Sequence, residues 1–270
     1  MDRKAIFITG AASGIGLATA KRFAGEGWLV GLSDIDAQGL KAALAAIGGD
    51  NAGFVTLHDV RKADEWERAL DAFVEAAGGR LDVLVNNAGI CRYGWFTEQT
   101  PRDFDDQIDI NLRGVILGAY LGHKRLKRTP GSRLINIASA ASLSGSPRLA
   151  VYSATKFAVR GLSEALDIEF MRSGVRVACV EPTVIETPLL DKPPPPAAPT
   201  SARRSLAAWD RRCQWKTLPK PSGAPPTTRR CTIRSARAPL RCCRRSIRAL
   251  RRRGRAGGRC SRLVRCLGLS

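Results

Sequence analysis

Residues 1–190 of this 270-residue chain predict an α/β domain organised around a doubly wound parallel sheet. Three observations carry that prediction. Short β-branched or aliphatic runs alternate with longer stretches of helical period, the rhythm of βαβ units. Most runs are apolar throughout instead of at every second residue, as expected of strands covered by helices on both faces. A glycine-rich turn, "TGAASGIG", joins the first run to the first helical stretch.

The elements follow in order. The run from Ala5 to Thr9 gives the first strand, and the glycine turn leads into a helix near residues 14–25. Leu29 to Asp34 is the second strand, before a helix near 36–47, and Gly53 to Leu57 is the third, before a helix near 63–77. A fourth strand over Leu81 to Asn86 precedes a long helix near 103–127. A fifth over Arg133 to Ala138 precedes a helix near 150–173, and Arg176 to Glu181 supplies the sixth. Six strands linked by crossover helices make an open, doubly wound sheet.

Within the turn, Gly10, Gly14 and Gly16 allow a tight bend, let the backbone approach a pyrophosphate and permit close helix packing. Ser13 and Ile15 share this loop, at a helix N-terminus that would face the phosphates. The spacing is G-x-x-x-G-x-G, not the commoner G-x-G-x-x-G. Asp34 ends the second strand, where a carboxylate can accept hydrogen bonds from the adenosine ribose hydroxyls and repel a 2′-phosphate. Ile35 follows it, and no arginine or lysine is evident to receive that phosphate, so NAD is expected in preference to NADP. The alternative is that Asp34 simply caps the helix beginning near Asp36.

"YSATK" places Tyr152 and Lys156 four residues apart on a predicted helix, so both project from one face. Lowering a phenol pKa from about 10 to about 7 takes roughly 4 kcal/mol, and a cation about 4 Å away at an effective dielectric near 20 supplies about that much. By itself such a pair is more often an ordinary amphipathic-helix contact.

Taken together, the glycine turn, Asp34, "NNAG" at Asn86 to Gly89, Asn111 in "DINLRG", Ser139 and "YSATK" resemble, in order and spacing, the short-chain dehydrogenase/reductase (SDR) family over about residues 3–190. The resemblance implies a Rossmann-like fold and an oxidoreductase that moves hydride between NAD(H) and a secondary alcohol or ketone. It implies that Tyr152 is the general acid/base and that Ser139 hydrogen-bonds the substrate oxygen. Lys156 would hold the nicotinamide ribose and depress the tyrosine pKa, and Asn111 would position a proton-relaying water. It further assigns Asp59 and Val60 to the adenine, and Asn86, Ala88, Gly89 and Pro182 to the coenzyme cleft. Asn87 to Gly89 would support the central sheet, and Thr187 would bind the nicotinamide carboxamide. Each has a bland counterpart: Asp59 a loop carboxylate, Thr187 a turn hydroxyl, Ser139 or Asn111 a satisfied buried polar group. One departure is Thr183, where the family usually has glycine after Pro182; its side chain is expected to crowd the nicotinamide side. Pocket walls are expected from Arg92, Tyr93, Trp95 and Phe96 and from Ala140 to Pro147, which would suit a hydrophobic alcohol or ketone, unless these residues are plain core. Relatives commonly associate through the two long helices, here near 103–127 and 150–173, so a homo-oligomer is an expected partner.

Charge and cysteine content divide the chain. Residues 1–190 hold 22 Lys+Arg and 22 Asp+Glu, whereas residues 191–270 hold 22 and 2, so the whole formal charge of +20 belongs to the tail. Only Cys91 and Cys179 lie in the first part, which reads as a reduced, cytoplasmic body in which both are small buried hydrophobes. No stretch reaches the roughly 18 apolar residues of a membrane helix, and "MDRKAIFITG" has too short an apolar run for a signal peptide. From "DKPPPPAAPT" onward both periodicities fade, where the resemblance implies a flap, a helix and a seventh strand; the sheet is therefore expected to lack its last strand. One reading is a dinucleotide-binding module with a basic, polyanion-binding arm. The favoured one is an out-of-frame C-terminus, which would leave an inactive product or an impaired enzyme. Under "CQWKTLP", residues 213–219, codons started on each third base permit "PMEDVA", similar to the start of the family's C-terminal helix. As written, dense like charge and proline predict disorder. The tail cysteines have no C-x-x-C pair and no nearby histidine, so no metal site is expected.

Overall fold

The computed structural model describes residues 3–183. Its single sheet has six strands: β1 (Ala5–Thr9), β2 (Leu29–Asp34), β3 (Gly53–Leu57), β4 (Val83–Asn86), β5 (Arg133–Ile137) and β6 (Arg176–Val180). They lie in the order 3-2-1-4-5-6, and all five pairings are parallel. The order reverses between β1 and β4, and at such a switch point a crevice opens beyond the strand C-termini. The helices are α1 (Gly14–Gly25), α2 (Ala37–Ala46), α3 (Ala63–Ala76), α4 (Pro101–Ile108), α5 (Gly114–Leu126) and α6 (Ala150–Phe170).

The apolar strands are explained by two separate cores. Ile6 and Ile8 of β1 join Phe23 of α1 and Leu40 of α2 on one face. Ala5 and Phe7, pointing the other way, join Trp66, Leu70 and Phe73 of α3 and Leu126 of α5. Gly31 of β2 makes room there: a Cβ on it would stand 2.6 Å from the Phe7 ring and 2.8 Å from that of Phe73.

Two expectations need correction. The long helix near 103–127 is instead α4 and α5, joined by a π-helical turn over Asp109–Arg113, and it begins earlier, at Pro101. Thr100 fixes that start through a reciprocal cap: Asp103 N–H donates to Thr100 Oγ1 (3.3 Å), and Thr100 N–H donates to Asp103 Oδ2 (3.0 Å). The cap of α2 is Asp36, whose Oδ1 accepts from Gly39 N–H at 3.0 Å, and not Asp34. Among the described residues no helix is long and apolar enough to cross a membrane. The predicted tail and the region of the missing strand lie outside the described residues.

Candidate active site

Four side chains meet beyond the C-terminal ends of β4 and β5. Both Tyr152 and Lys156 are buried on α6. Lys156 Nζ donates to the Ile137 carbonyl at the end of β5 (2.9 Å) and stands 5.7 Å from the Tyr152 ring centroid. Ser139, two residues beyond β5, starts a 3-10 turn by accepting from Ala141 N–H (3.2 Å), and its side chain also hydrogen-bonds Tyr152. Asn111 projects from the π turn into the protein. Its Oδ1 accepts from Ile90 N–H and its Nδ2 donates to the Ile90 carbonyl, both at 2.8 Å, with a longer contact to Thr155 Oγ1 on α6 (3.4 Å). The π turn thus clasps the segment after "NNAG", and single π turns of this kind are frequent at functional sites.

Electrostatics correct one expectation. Burial pushes the Tyr152 phenol up to about 12, with the Ser139 hydrogen bond pulling the other way, and pushes Lys156 down to about 8. Desolvation disfavours both charged forms, and the ammonium is turned to the Ile137 carbonyl, so the phenol is not depressed toward neutrality. In the chain alone the Tyr152 phenol keeps its proton at neutral pH. Desolvation likewise pushes Cys91 and Cys179 up to about 11, which disfavours the thiolate, although both are half-buried and not buried as expected.

The glycine turn has the shape its residues imply. Gly10 (φ +64°) and Gly14 (φ +54°) occupy the left-handed region. Gly16 is needed for room, because a Cβ there would collide with the Gly10 carbonyl oxygen. Asn87 holds the turn to β4: its Nδ2 donates to the carbonyls of Thr9 (2.8 Å) and Gly10 (3.1 Å). Thr9 Oγ1 in turn accepts from the N–H groups of Asn87 and Ala88, both at 3.0 Å. No side chain caps α1 at Ser13 and no acid lies in its first turn, so the amides of Gly14, Ile15 and Gly16 face the turn as an anion site. Asp34 lies beside them, accepting from the N–H groups of Ala12 (3.1 Å) and Ile35 (2.8 Å) and keeping further lone pairs. Open amides, a glycine cradle and an adjacent carboxylate fit a dinucleotide.

Other expected contacts are placed less directly. The Asp59 carboxylate is forked by Arg61, with Nε at 2.9 Å and a terminal nitrogen at 2.6 Å, which holds it below the usual carboxylate range. The Val60 carbonyl accepts from Trp66 Nε1 (2.9 Å). The Asn86 carboxamide is buried in the sheet, donating to Asn136 Oδ1 (2.9 Å), so its side chain braces β4 against β5. Gly89 lies within the site, since a Cβ on it would be 3.2 Å from Asn111 Oδ1 and 3.6 Å from Lys156 Nζ. The Pro182 carbonyl accepts from Ala140 N–H (2.8 Å), closing the end of β6 on the Ser139 turn. Thr183 is the last described residue, and Thr187 lies outside the described residues.

Of the expected walls, Trp95 and Phe96 are 48% and 57% exposed and therefore not core; Phe96 stacks on Phe104 at 5.1 Å. Arg92 is paired with Asp103 (3.4 Å) and Asp106 (3.2 Å). Sequence reasoning missed Thr9, Ile90 and Arg148. Thr9 was detectable as a hydroxyl at the strand end before Gly10, whereas Ile90 acts through its backbone and Arg148 follows no spacing rule.

The fold and the site define an oxidoreductase of the doubly wound α/β class. The chain belongs to the short-chain dehydrogenase family, whose profile, described as "short chain dehydrogenase", matches residues 4–196. D-threitol dehydrogenase of Mycolicibacterium smegmatis is 38% identical over 192 residues, covering 70% of this chain and 73% of that one. The structure of a 3-ketoacyl-(acyl-carrier-protein) reductase from Brucella melitensis, complexed with NADH, superposes with a TM-score of 0.66 at 35% identity over 69% of this chain and 78% of the other. An actinorhodin polyketide ketoreductase variant with NADPH gives a TM-score of 0.66 at 35% identity over 70% and 73%.

Proposed function

We propose that the chain is an NAD-dependent dehydrogenase that interconverts a secondary alcohol and a ketone, with residues 1–190 as the catalytic domain. One observation supports this most: Tyr152, Lys156, Ser139 and Asn111 gather beyond the C-terminal ends of β4 and β5, on the same edge of the sheet as the uncapped N-terminus of α1. The coenzyme would accept or deliver the hydride and, when oxidised, bring a positive charge that favours the phenolate. Tyr152 passes its hydroxyl proton to the ketone oxygen on reduction and takes it back on oxidation. Ser139 Oγ holds that oxygen, and Lys156 holds a ribose hydroxyl. The Asn111 side chain is committed to Ile90, so a relay water there would bond to backbone carbonyls. The N-terminus of α1 would carry the pyrophosphate, with Asp34 on the adenosine ribose, Asp59 and Val60 near the adenine, and Thr187 at the carboxamide.

Asp34 with exposed Ile35 behind it supports NAD over NADP. Exposed Ile108, Ile116 and Tyr120 on α4 and α5, and Phe157 and Ile168 on α6, support self-association through these helices. The test is reduction of a panel of ketones followed by loss of NADH absorbance. Wild type should consume NADH with at least one ketone, and Ser139→Ala should lower kcat by about 10²-fold or more, the scale of losing one oxygen-stabilising donor. No coenzyme-dependent turnover, or an Ser139→Ala variant as fast as wild type, would end this reading.

A further inference from the structure

We propose that Arg148 is a substrate-binding residue that seats a carboxylate, so that the alcohol or ketone handled here is part of an organic acid. The proposal rests on the dehydrogenase reading and adds to it the class of substrate.

Arg148 ends the loop between β5 and α6, four residues before Tyr152. Three unfavourable features coincide in it. Its φ is +68°, and it is the only non-glycine residue with positive φ among the described residues. Left-handed backbone is disfavoured for a residue with a Cβ, and strain of this kind collects at ligand sites. Arg148 is also only 8% exposed, so its charge is largely withdrawn from water. Its buried Nε–H has no hydrogen-bond partner, and no carboxylate pairs with its guanidinium among the described residues. A buried charge without a counterion is unfavourable, and of the acids on the segment after β4, Glu98 accepts from Trp95 N–H (3.3 Å) while Asp103 and Asp106 are paired with Arg92.

What surrounds the guanidinium indicates what it would hold. The Tyr93 ring centroid is 4.8 Å and the Trp95 centroid 5.2 Å from its central carbon. The two loops are tied together by a hydrogen bond from Gly94 N–H to the Arg148 carbonyl (3.1 Å). Aromatic rings attract a guanidinium through its faces and leave its in-plane N–H edge to ligands. That edge matches the two oxygens of a carboxylate. With the Arg92 charge already neutralised, one monoanionic group fits better than a phosphate, which would call for further cationic donors. Arg148 thus provides, between the loops after β4 and β5, an anion seat flanked by two aromatic rings.

The test reads binding, not turnover. Full-length chain is titrated calorimetrically with benzoate, cyclohexanecarboxylate and acetoacetate, each beside its methyl ester, with and without NADH. The proposal expects at least one carboxylate to bind wild type tenfold or more tightly than its ester. Arg148→Gly, a substitution that suits the observed φ, should abolish that preference, leave ester and NADH affinities unchanged and melt no lower than wild type. Arg148→Gln, which keeps a long side chain, should lose the preference equally and serves if the glycine variant fails to fold. Three carboxylates that bind no better than their esters, or not at all, overturn the proposal. So does a preference that survives in the variants; a lowered melting temperature alongside it would make Arg148 a brace for the loops. Failure of the dehydrogenase reading would appear separately, as absent coenzyme-dependent turnover or insensitivity to Ser139→Ala.

Discussion

Adding one methyl group at Gly16 tests whether the glycine turn is the coenzyme cradle. The Cβ of Gly16→Ala would collide with the Gly10 carbonyl oxygen and stand 2.8 Å from Asn87 Nδ2. Neither neighbour can retreat freely. That oxygen accepts from Asn87 Nδ2 at 3.1 Å, and Gly10 is already at φ +64°. The turn must therefore shift at the point where the N-terminus of α1 faces the pyrophosphate. Overpacking of this kind destabilises by about 1–3 kcal/mol. If displacement of the cradle removes even half of the phosphate hydrogen bonds, the loss in NADH affinity should be about 100-fold, or roughly 2.7 kcal/mol. Gly25→Ala is the matched control in the same helix, because a Cβ there meets nothing within 4 Å. It should leave NADH affinity unchanged and stabilise by about 0.5–1 kcal/mol. Fluorescence titration with NADH and thermal melts of both variants provide the readout. Gly16→Ala binding NADH within threefold of wild type would refute the placement of the pyrophosphate.

Further outcomes follow from other residues. Asp34→Asn should raise the ratio of NADPH to NADH affinity about tenfold, the scale of removing one unit repulsion close to a phosphate, as measured by parallel titrations; an unchanged ratio would contradict the specificity argument. His58 is held neutral, its pKa pushed by burial from 6.5 down to about 4. Because the folded value lies below the unfolded one, stability is complete above about pH 6.5 and declines by roughly 3 kcal/mol as pH falls toward 4. Urea unfolding at pH 7 and pH 4.5 should show the decline in wild type and a smaller one in His58→Gln; equal declines would show that His58 does not contribute.

The parallel, doubly wound sheet and the helix carrying Tyr152 and Lys156 were legible because each leaves a local pattern. Apolar strands such as "AIFIT" signal burial on both faces, and the four-residue interval from Tyr152 to Lys156 survives any adjustment of the helix ends. The division of the long helix at Asp109–Arg113 was hidden, since it depends on Asn111 clasping Ile90, a contact 21 residues distant in sequence. The setting of the Asn86 side chain was hidden for a similar reason. Its motif points to the coenzyme, but the register of β4 against β5 sets it opposite Asn136, to whose Oδ1 its Nδ2 donates inside the sheet, while its own Oδ1 has no partner among the described residues. The direction of the Tyr152 shift in the chain alone was hidden for an energetic reason: spacing shows that a cation is near but not how much water both groups lose. Arg148 left no trace, because only the folded loops bring it between Tyr93 and Trp95.

The central claim is that the Tyr152 hydroxyl carries the proton that accompanies hydride transfer. Its most direct measurement compares wild type with Tyr152→Phe, which removes one oxygen and keeps the buried ring, on any ketone that wild type reduces. The account predicts unchanged NADH affinity and kcat lower by about 10²–10⁴-fold, the usual contribution of a positioned acid or base. A Tyr152→Phe variant that keeps wild-type kcat would contradict it.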